Sequence, residues 1–107
     1  PEEARGLATE AARRGLLYLD APVSGGVAGS RAGALTVMAA GSDAAFARAK
    51  PVLDATAKRV WNLGAEPGLG MIMKVVHQLL AGVHIAAAAE AMALGIKAGI
   101  EARTLYD

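Results

Sequence analysis

The stretch from 71 to 98, MIMKVVHQLLAGVHIAAAAEAMALGIKA, constrains this chain more than any other. It contains no proline, and apart from two histidines its only acids and bases are Lys74, Glu90 and Lys97. An uninterrupted run of this kind predicts one helix of roughly 40 Å. Apolar residues occupy nearly every face of that helix, so it is expected to be surrounded by other protein. The longest uncharged run, 75–89, is fifteen residues and is interrupted by His77, Gln78 and His84. That falls short of the ~20 apolar residues a bilayer span requires, so no membrane partner is expected.

Upstream the pattern changes to short apolar runs separated by turns. Residues 2–14 predict an amphipathic helix, with Pro1 at its start, Glu2 and Glu3 in the first turn, and Gly15 as its stop. The run 16–19 predicts a buried strand, 21–33 a loop, and ALTVMAAG (34–41) a second strand. Ser42 is placed to cap a helix over 43–57, with Pro51 a kink or break inside it. RVWNLG (59–64) predicts a third strand, and GIEAR (99–103) ends the long helix and opens another. Helix–strand–strand–helix–strand is α/β material, but three strands make a small sheet. The chain therefore reads as the middle of a larger protein, with one half of an interlocked oligomer as the other arrangement.

Composition excludes several function classes. A net charge of +1 and 4% aromatic residues leave no basic, aromatic-interleaved surface for nucleic acid. There are no cysteines, so disulfides and thiolate metal sites are ruled out. The opening PEEARGLATEAARRG has neither the apolar core of a secretory signal nor the acid-poor composition of a transit peptide, and a soluble cytoplasmic protein is expected.

Two segments carry candidate chemistry. In LDAPVSGGVAG the spacing Ser24, Gly26, Gly29 approximates a dinucleotide fingerprint that lacks its first glycine. The next predicted element is a strand, so no helix N-terminus is expected to meet a phosphate there. What remains is a turn whose Ser24 hydroxyl and Gly25 and Gly26 N–H groups can bond a carboxylate or hydroxyl, or a tight connection whose glycines serve only its backbone. In GLGMIMKVVHQ, Lys74 stands in an apolar helix. Such a lysine snorkels to water, pairs with an opposite charge, or serves as a general acid or base. Lys74, His77 and Gln78 fall within about 100° on one helix face, suited to the oxygens of a polyhydroxy acid, whereas Glu90 lies about 160° from Lys74. His77 and His84 are two turns apart, too far for one metal ion, so no metal is expected.

Together these segments resemble the β-hydroxyacid dehydrogenase family, which includes 3-hydroxyisobutyrate dehydrogenase and tartronate semialdehyde reductase. DAPVSGGVAGSRAGALTVMAAG is similar to the family's substrate-binding motif, and GLGMIMKVVHQ to its catalytic motif G-x-G-x-x-x-K-x-x-x-N, with Gly68, Gly70 and Lys74 in register. The family's Asn is Gln78 here, and His77 before it is similar to 6-phosphogluconate dehydrogenase. Within the family the run KVVHQLLAGVHIAAAAEAMAL most resembles dehydrogenases of L-threonate type, acting on four-carbon sugar acids.

The resemblance implies the end of a Rossmann-like nucleotide-binding domain (1–66) and a long interdomain helix leading into an all-α domain (67–107). It implies Lys74 as general acid/base and Ser24, Gly25, Gly26, His77 and Gln78 as substrate-binding residues. NAD or NADP is the implied cofactor, although the family's main nucleotide-binding motif does not occur in this sequence. A small hydroxy acid and further copies of the chain are the implied partners. A helical oligomerisation module is the non-enzymatic alternative.

Overall fold

The computed structural model describes residues 1–107 and is α/β, as expected. Two compact units divide the chain, Pro1–Val75 and Val76–Asp107. The first is built around one strand, β3 (Leu35–Gly41), whose sequence LTVMAAG has no polar residue after Thr36. A continuous apolar run suits a strand covered on both faces. Val37, Met38, Ala39 and Ala40 are indeed all buried.

Three strands pair with β3. Along one edge run β1 (Leu19–Asp20) and β2 (Val23–Ser24), both antiparallel, with Asp20 opposite Ala40 and Ser24 opposite Thr36. Between them the N–H of Met38 donates to the carbonyl of Pro22 at 2.9 Å. Along the other edge β4 (Ala57–Asn62) runs parallel, after a crossover through α3 (Asp43–Thr56). Small residues at the end of β3 let the neighbouring chain come close. A Cβ on Gly41 would lie 2.9 Å from both Leu19 Cδ1 and the Tyr18 carbonyl oxygen.

Ser42 caps α3 as expected, its hydroxyl accepting from the N–H of Ala45 at 3.2 Å. Pro51 neither breaks nor ends α3, which runs through it to Thr56. The N-terminal helix α1 (Glu2–Arg13) carries Glu2–Arg5 and Glu10–Arg14 ion pairs on its exposed face and buries Ala4.

Two expectations are corrected here. Residues 16–19 do not form a buried strand: only Leu19 joins β1, while Leu16 and Leu17 are 61% and 55% exposed because no element of this chain covers them. Residues 21–33 are not a plain loop either. They contain β2 and a short helix, α2 (Gly26–Arg31). That helix lacks an apolar repeat, so periodicity could not reveal it. It is closed by a Schellman turn at Gly33 (φ 60°), with Gly33 N–H bonded to the Ser30 carbonyl and Ala34 N–H to that of Gly29.

The long helix α4 spans Leu69–Lys97 without interruption. Its length and mean hydropathy of 1.8 meet the requirement for crossing a membrane, a property that counting uncharged residues alone overlooked. The core helix of a soluble protein meets the same requirement. Within this chain its apolar side chains are uncovered, including Leu79, Leu80, Val83 and Ile85. In the second unit the chain turns at Gly99 (φ 96°) after α4, and α5 (Ala102–Tyr106) folds back so closely that a Cβ on Gly95 would lie 2.6 Å from Leu105 Cδ1.

Replacing Ser42 with Ala removes the only side-chain acceptor at the start of α3. The expected loss is about 1 kcal/mol of unfolding free energy, measured by urea denaturation of the intact protein.

Candidate active site

The first turn of α4 is held by a residue far away in sequence. Asp20 is the one buried charged residue, 3% exposed. Its Oδ2 accepts the N–H of Gly68 at 2.9 Å and that of Met71 at 3.1 Å. The carbonyl of Gly68 accepts the first intrahelical bond, from Ile72, so Gly68 is the N-cap and Met71 is N3. An ordinary N-cap side chain would bond the N3 amide itself, and an N3 glutamate would reach back to the N-cap amide. Neither Gly68 nor Met71 has a side chain that can do this. One carboxylate from β1 therefore performs both halves of a capping box, and its charge faces the positive end of the helix dipole.

Both glycines of GLG follow from this docking. Gly68 has φ 97°, a left-handed conformation that a side chain would strain. At Gly70 a Cβ would lie 2.5 Å from the Met38 carbonyl oxygen, 2.8 Å from that of Asp20 and 3.0 Å from its Oδ2. Two of these are backbone atoms of the sheet and cannot easily yield. The helix start thus sits directly against β1 and β3.

Lys74 follows Gly70 by four residues, one turn along the same face of α4. It is half-buried and forms none of the chain's ion pairs. The apolar surroundings expected for this lysine are therefore only partly supplied by this chain.

The glycine turn is built from β2 onward. Ser24, half-buried, ends β2, and Gly25 (φ 132°) and Gly26 (φ 58°) then turn the chain into α2. Two successive positive φ angles require glycine at both positions. Leu35 packs against the turn, 3.2 Å from where a Gly25 Cβ would stand. The expectation that no helix follows is corrected: α2 begins at Gly26, and its first N–H groups have no intrahelical acceptor. The turn still departs from a dinucleotide cradle. Serine replaces the first glycine, and the strand before it is two residues long and antiparallel.

In the second unit His77 and Gln78 are exposed neighbours on α4. His77 Nδ1 lies 3.1 Å from Gln78 Oε1, a bond that requires the Nδ1–H tautomer. Surface hollows lined by Arg5, Thr9 and Glu66, and by Phe46, Leu53 and Val60, include none of the expected site residues.

Sequence reasoning missed Asp20. A lone acid closing an apolar run was its only signal, and its partners lie 48 and 51 residues away. Its charge also acts on Tyr18. Burial first, and then the Asp20 carboxylate, raise the Tyr18 phenol above its usual 10.0. An acid whose folded pKa is raised stabilises the fold below pH 10 and loses that contribution as pH climbs through the folded value. Asp20→Asn is expected to shift the alkaline titration of Tyr18 downward, followed by NMR through the assigned ring resonances of Tyr18.

Residues 1–64 match the family model for the NAD binding domain of 6-phosphogluconate dehydrogenase. Residues 68–107 match that for the NAD-binding region of NADP-dependent 3-hydroxyisobutyrate dehydrogenase. An L-threonate dehydrogenase of Escherichia coli O6:H1 is 57% identical over 105 residues, 98% of this chain and 35% of that protein. A 3-hydroxyisobutyrate dehydrogenase of Pseudomonas aeruginosa is 45% identical over 107 residues, all of this chain and 36% of that protein. The crystal structure of a Salmonella typhimurium 3-hydroxyisobutyrate dehydrogenase superposes with a TM-score of 0.92 at 54% identity, over 99% of this chain and 37% of that one. The chain thus spans about a third of the length of these relatives. It belongs to the 3-hydroxyisobutyrate dehydrogenase-like family of NAD(P)-dependent oxidoreductases.

Proposed function

We propose that the intact protein oxidises a small hydroxy acid, with L-threonate or a similar four-carbon sugar acid as substrate, and NAD+ or NADP+ as hydride acceptor. The observation that carries this reading is the link through Asp20. The residue that opens DAPVSGG caps the helix that presents Lys74, so one contact joins both motif segments. The relatives named L-threonate dehydrogenase support the choice of substrate class. The dinucleotide supplies the hydride acceptor when bound. The Ser24–Gly26 turn does not fit its pyrophosphate, because serine replaces the first glycine and the preceding strand is short and antiparallel.

The roles of the chain's own residues follow from their chemistry. Lys74 Nζ takes the proton of the reacting hydroxyl as the alcohol becomes a carbonyl, and returns it in the reverse direction. The Ser24 hydroxyl and the Gly25 and Gly26 amides hold the substrate carboxylate, an anion suited to unpaired N–H groups. His77 and Gln78, three and four residues beyond Lys74, bond the neighbouring hydroxyls. Gln78 is one methylene longer than the family's Asn, so it reaches a position further from the helix axis. The cytoplasm is the proposed location, and the apolar face of α4 is covered by further protein, within the intact subunit or between copies of it.

A second reading, oxidation of 3-hydroxyisobutyrate or reduction of tartronate semialdehyde, is favoured by the relatives named 3-hydroxyisobutyrate dehydrogenase. Assay of the intact protein with L-threonate, 3-hydroxyisobutyrate and tartronate semialdehyde, each with both cofactors, separates the two. Lys74→Ala is expected to lower kcat by about 10³-fold or more while leaving the melting temperature within a few degrees. Ser24→Ala is expected chiefly to raise KM, by about tenfold. A Lys74→Ala enzyme with undiminished kcat would reject Lys74 as the acid/base, whereas no turnover of any of these acids by the intact protein would favour the helical oligomerisation module.

A further inference from the structure

We propose that Asp20 is a positioning residue, whose carboxylate fixes how far α4 advances against the sheet and so sets the position of Lys74 relative to the Ser24 turn. The proposal rests on the reading of Lys74 and Ser24 given above. Neither residue forms a hydrogen bond or ion pair with the Asp20 side chain. The inference comes from what Asp20 joins.

On its backbone side, Asp20 is fastened to β3 along with everything up to the turn. Asp20 pairs with Ala40, the Pro22 carbonyl accepts from Met38, Val23 pairs with Val37 and Ser24 with Thr36. These four ties leave the segment 20–24 no freedom to slide along β3. On its side-chain side, Oδ2 holds the amides of Gly68 and Met71. Two donors from different residues of the first turn converge on one acceptor, so the helix start is fixed in direction as well as distance. Gly70 supplies the opposing stop. With no Cβ it lets α4 advance to the carbonyls of Met38 and Asp20, and any side chain would hold the helix back. The carboxylate pulls the helix in and the sheet carbonyls limit it. Lys74, one rigid turn further along, inherits that position.

A group that merely stabilises the fold and a group that positions the amine predict different kinetics. Asp20→Asn keeps an acceptor oxygen in the same place without the charge. Asp20→Glu keeps the charge but pushes the acceptor out by about one C–C bond, ~1.5 Å. Gly70→Ala displaces the helix start chiefly through the Met38 and Asp20 carbonyls, and although its Cβ also meets Oδ2 at 3.0 Å it leaves the carboxylate's charge and length unchanged. Displacement of a reacting group by about 1 Å costs on the order of 10²-fold in rate.

The test is steady-state kinetics of the intact dehydrogenase carrying each substitution, on enzyme shown by circular dichroism and melting to be folded, with cofactor Kd measured separately. Asp20→Glu and Gly70→Ala are expected to lose about 10²-fold in kcat, with KM for the hydroxy acid and Kd for the cofactor changed less than about threefold. Asp20→Asn is expected to stay within about fivefold of wild-type kcat despite a lower melting temperature. Folded Asp20→Glu or Gly70→Ala enzyme with kcat within about twofold of wild type overturns the proposal and leaves Asp20 a stabilising cap. An order in which Glu retains more activity than Asn also overturns it, in favour of an effect of charge. If Glu does not fold, Gly70→Ala decides. If neither folds, a folded Asp20→Asn with kcat reduced as far as that of Lys74→Ala overturns the proposal, and one within about fivefold supports it. Lys74→Ala in the same series separates the two failures. Full activity there rejects the role of the lysine and the positioning proposal with it, whereas inactive Lys74→Ala beside fully active Asp20→Glu rejects the positioning alone.

Discussion

A buried carboxylate with two amide donors is the contact on which the rest of this structure depends. Isolated in a protein interior, Asp20 would be a costly charge. Here its Oδ2 takes two N–H bonds at the start of α4, where the helix dipole already favours an anion. The need runs both ways. A helix whose N-cap is glycine has no side chain to satisfy its own first amides, and one whose second residue is glycine packs no side chain there. The sequence GLG makes sense only with an acceptor brought from elsewhere. Gly68 and Gly70 are accordingly residues of backbone geometry, and Lys74 is the first residue of that helix face free to do chemistry.

Much of the architecture could be read from the residues. The apolar run of β3, the Ser42 cap and the proline-free stretch of α4 are local signals, and each element occurs where its signal lies. The family resemblance rested on DAPVSGG and GLGMIMK, and the comparisons bear it out. Three things were not legible. The helix α2 has glycine and alanine where periodicity needs larger apolar residues, so it depends on its Schellman turn and on contact with Leu35. Leu16 and Leu17 look like the start of a buried strand, yet burial depends on a neighbour and this chain offers them none. Asp20 looked like the end of an apolar run because its partners lie beyond any local window.

The composition gives the molecule its particular manner of packing. Hydrophobic residues are 54% of the chain, but aromatics are only 4%. Large side chains cannot fill space here, so backbones approach one another instead. Gly41 against the Tyr18 carbonyl and Gly70 against that of Met38 are two instances, and Gly95 makes the same room for the Leu105 side chain. Contacts of this type tolerate little volume change, because the atoms opposite are often carbonyl oxygens rather than flexible side chains. The apolar surface left over is concentrated on α4, whose Leu79, Leu80, Val83 and Ile85 are uncovered within this chain.

The distance in sequence between Asp20 and the amides it holds bears on how the chain folds. Closing a loop of 48 residues costs about 3 kcal/mol in chain entropy beyond a constant term. Pairing of β1 with β3 and of β3 with β4 shortens that loop to the residues between Asn62 and Gly68, so the contact becomes cheap only once the sheet exists. Secondary structure in α3 and α4 forms from neighbours and needs no such wait. The seating of α4 on the sheet, and with it the placing of Lys74, is therefore expected only after the sheet itself has formed.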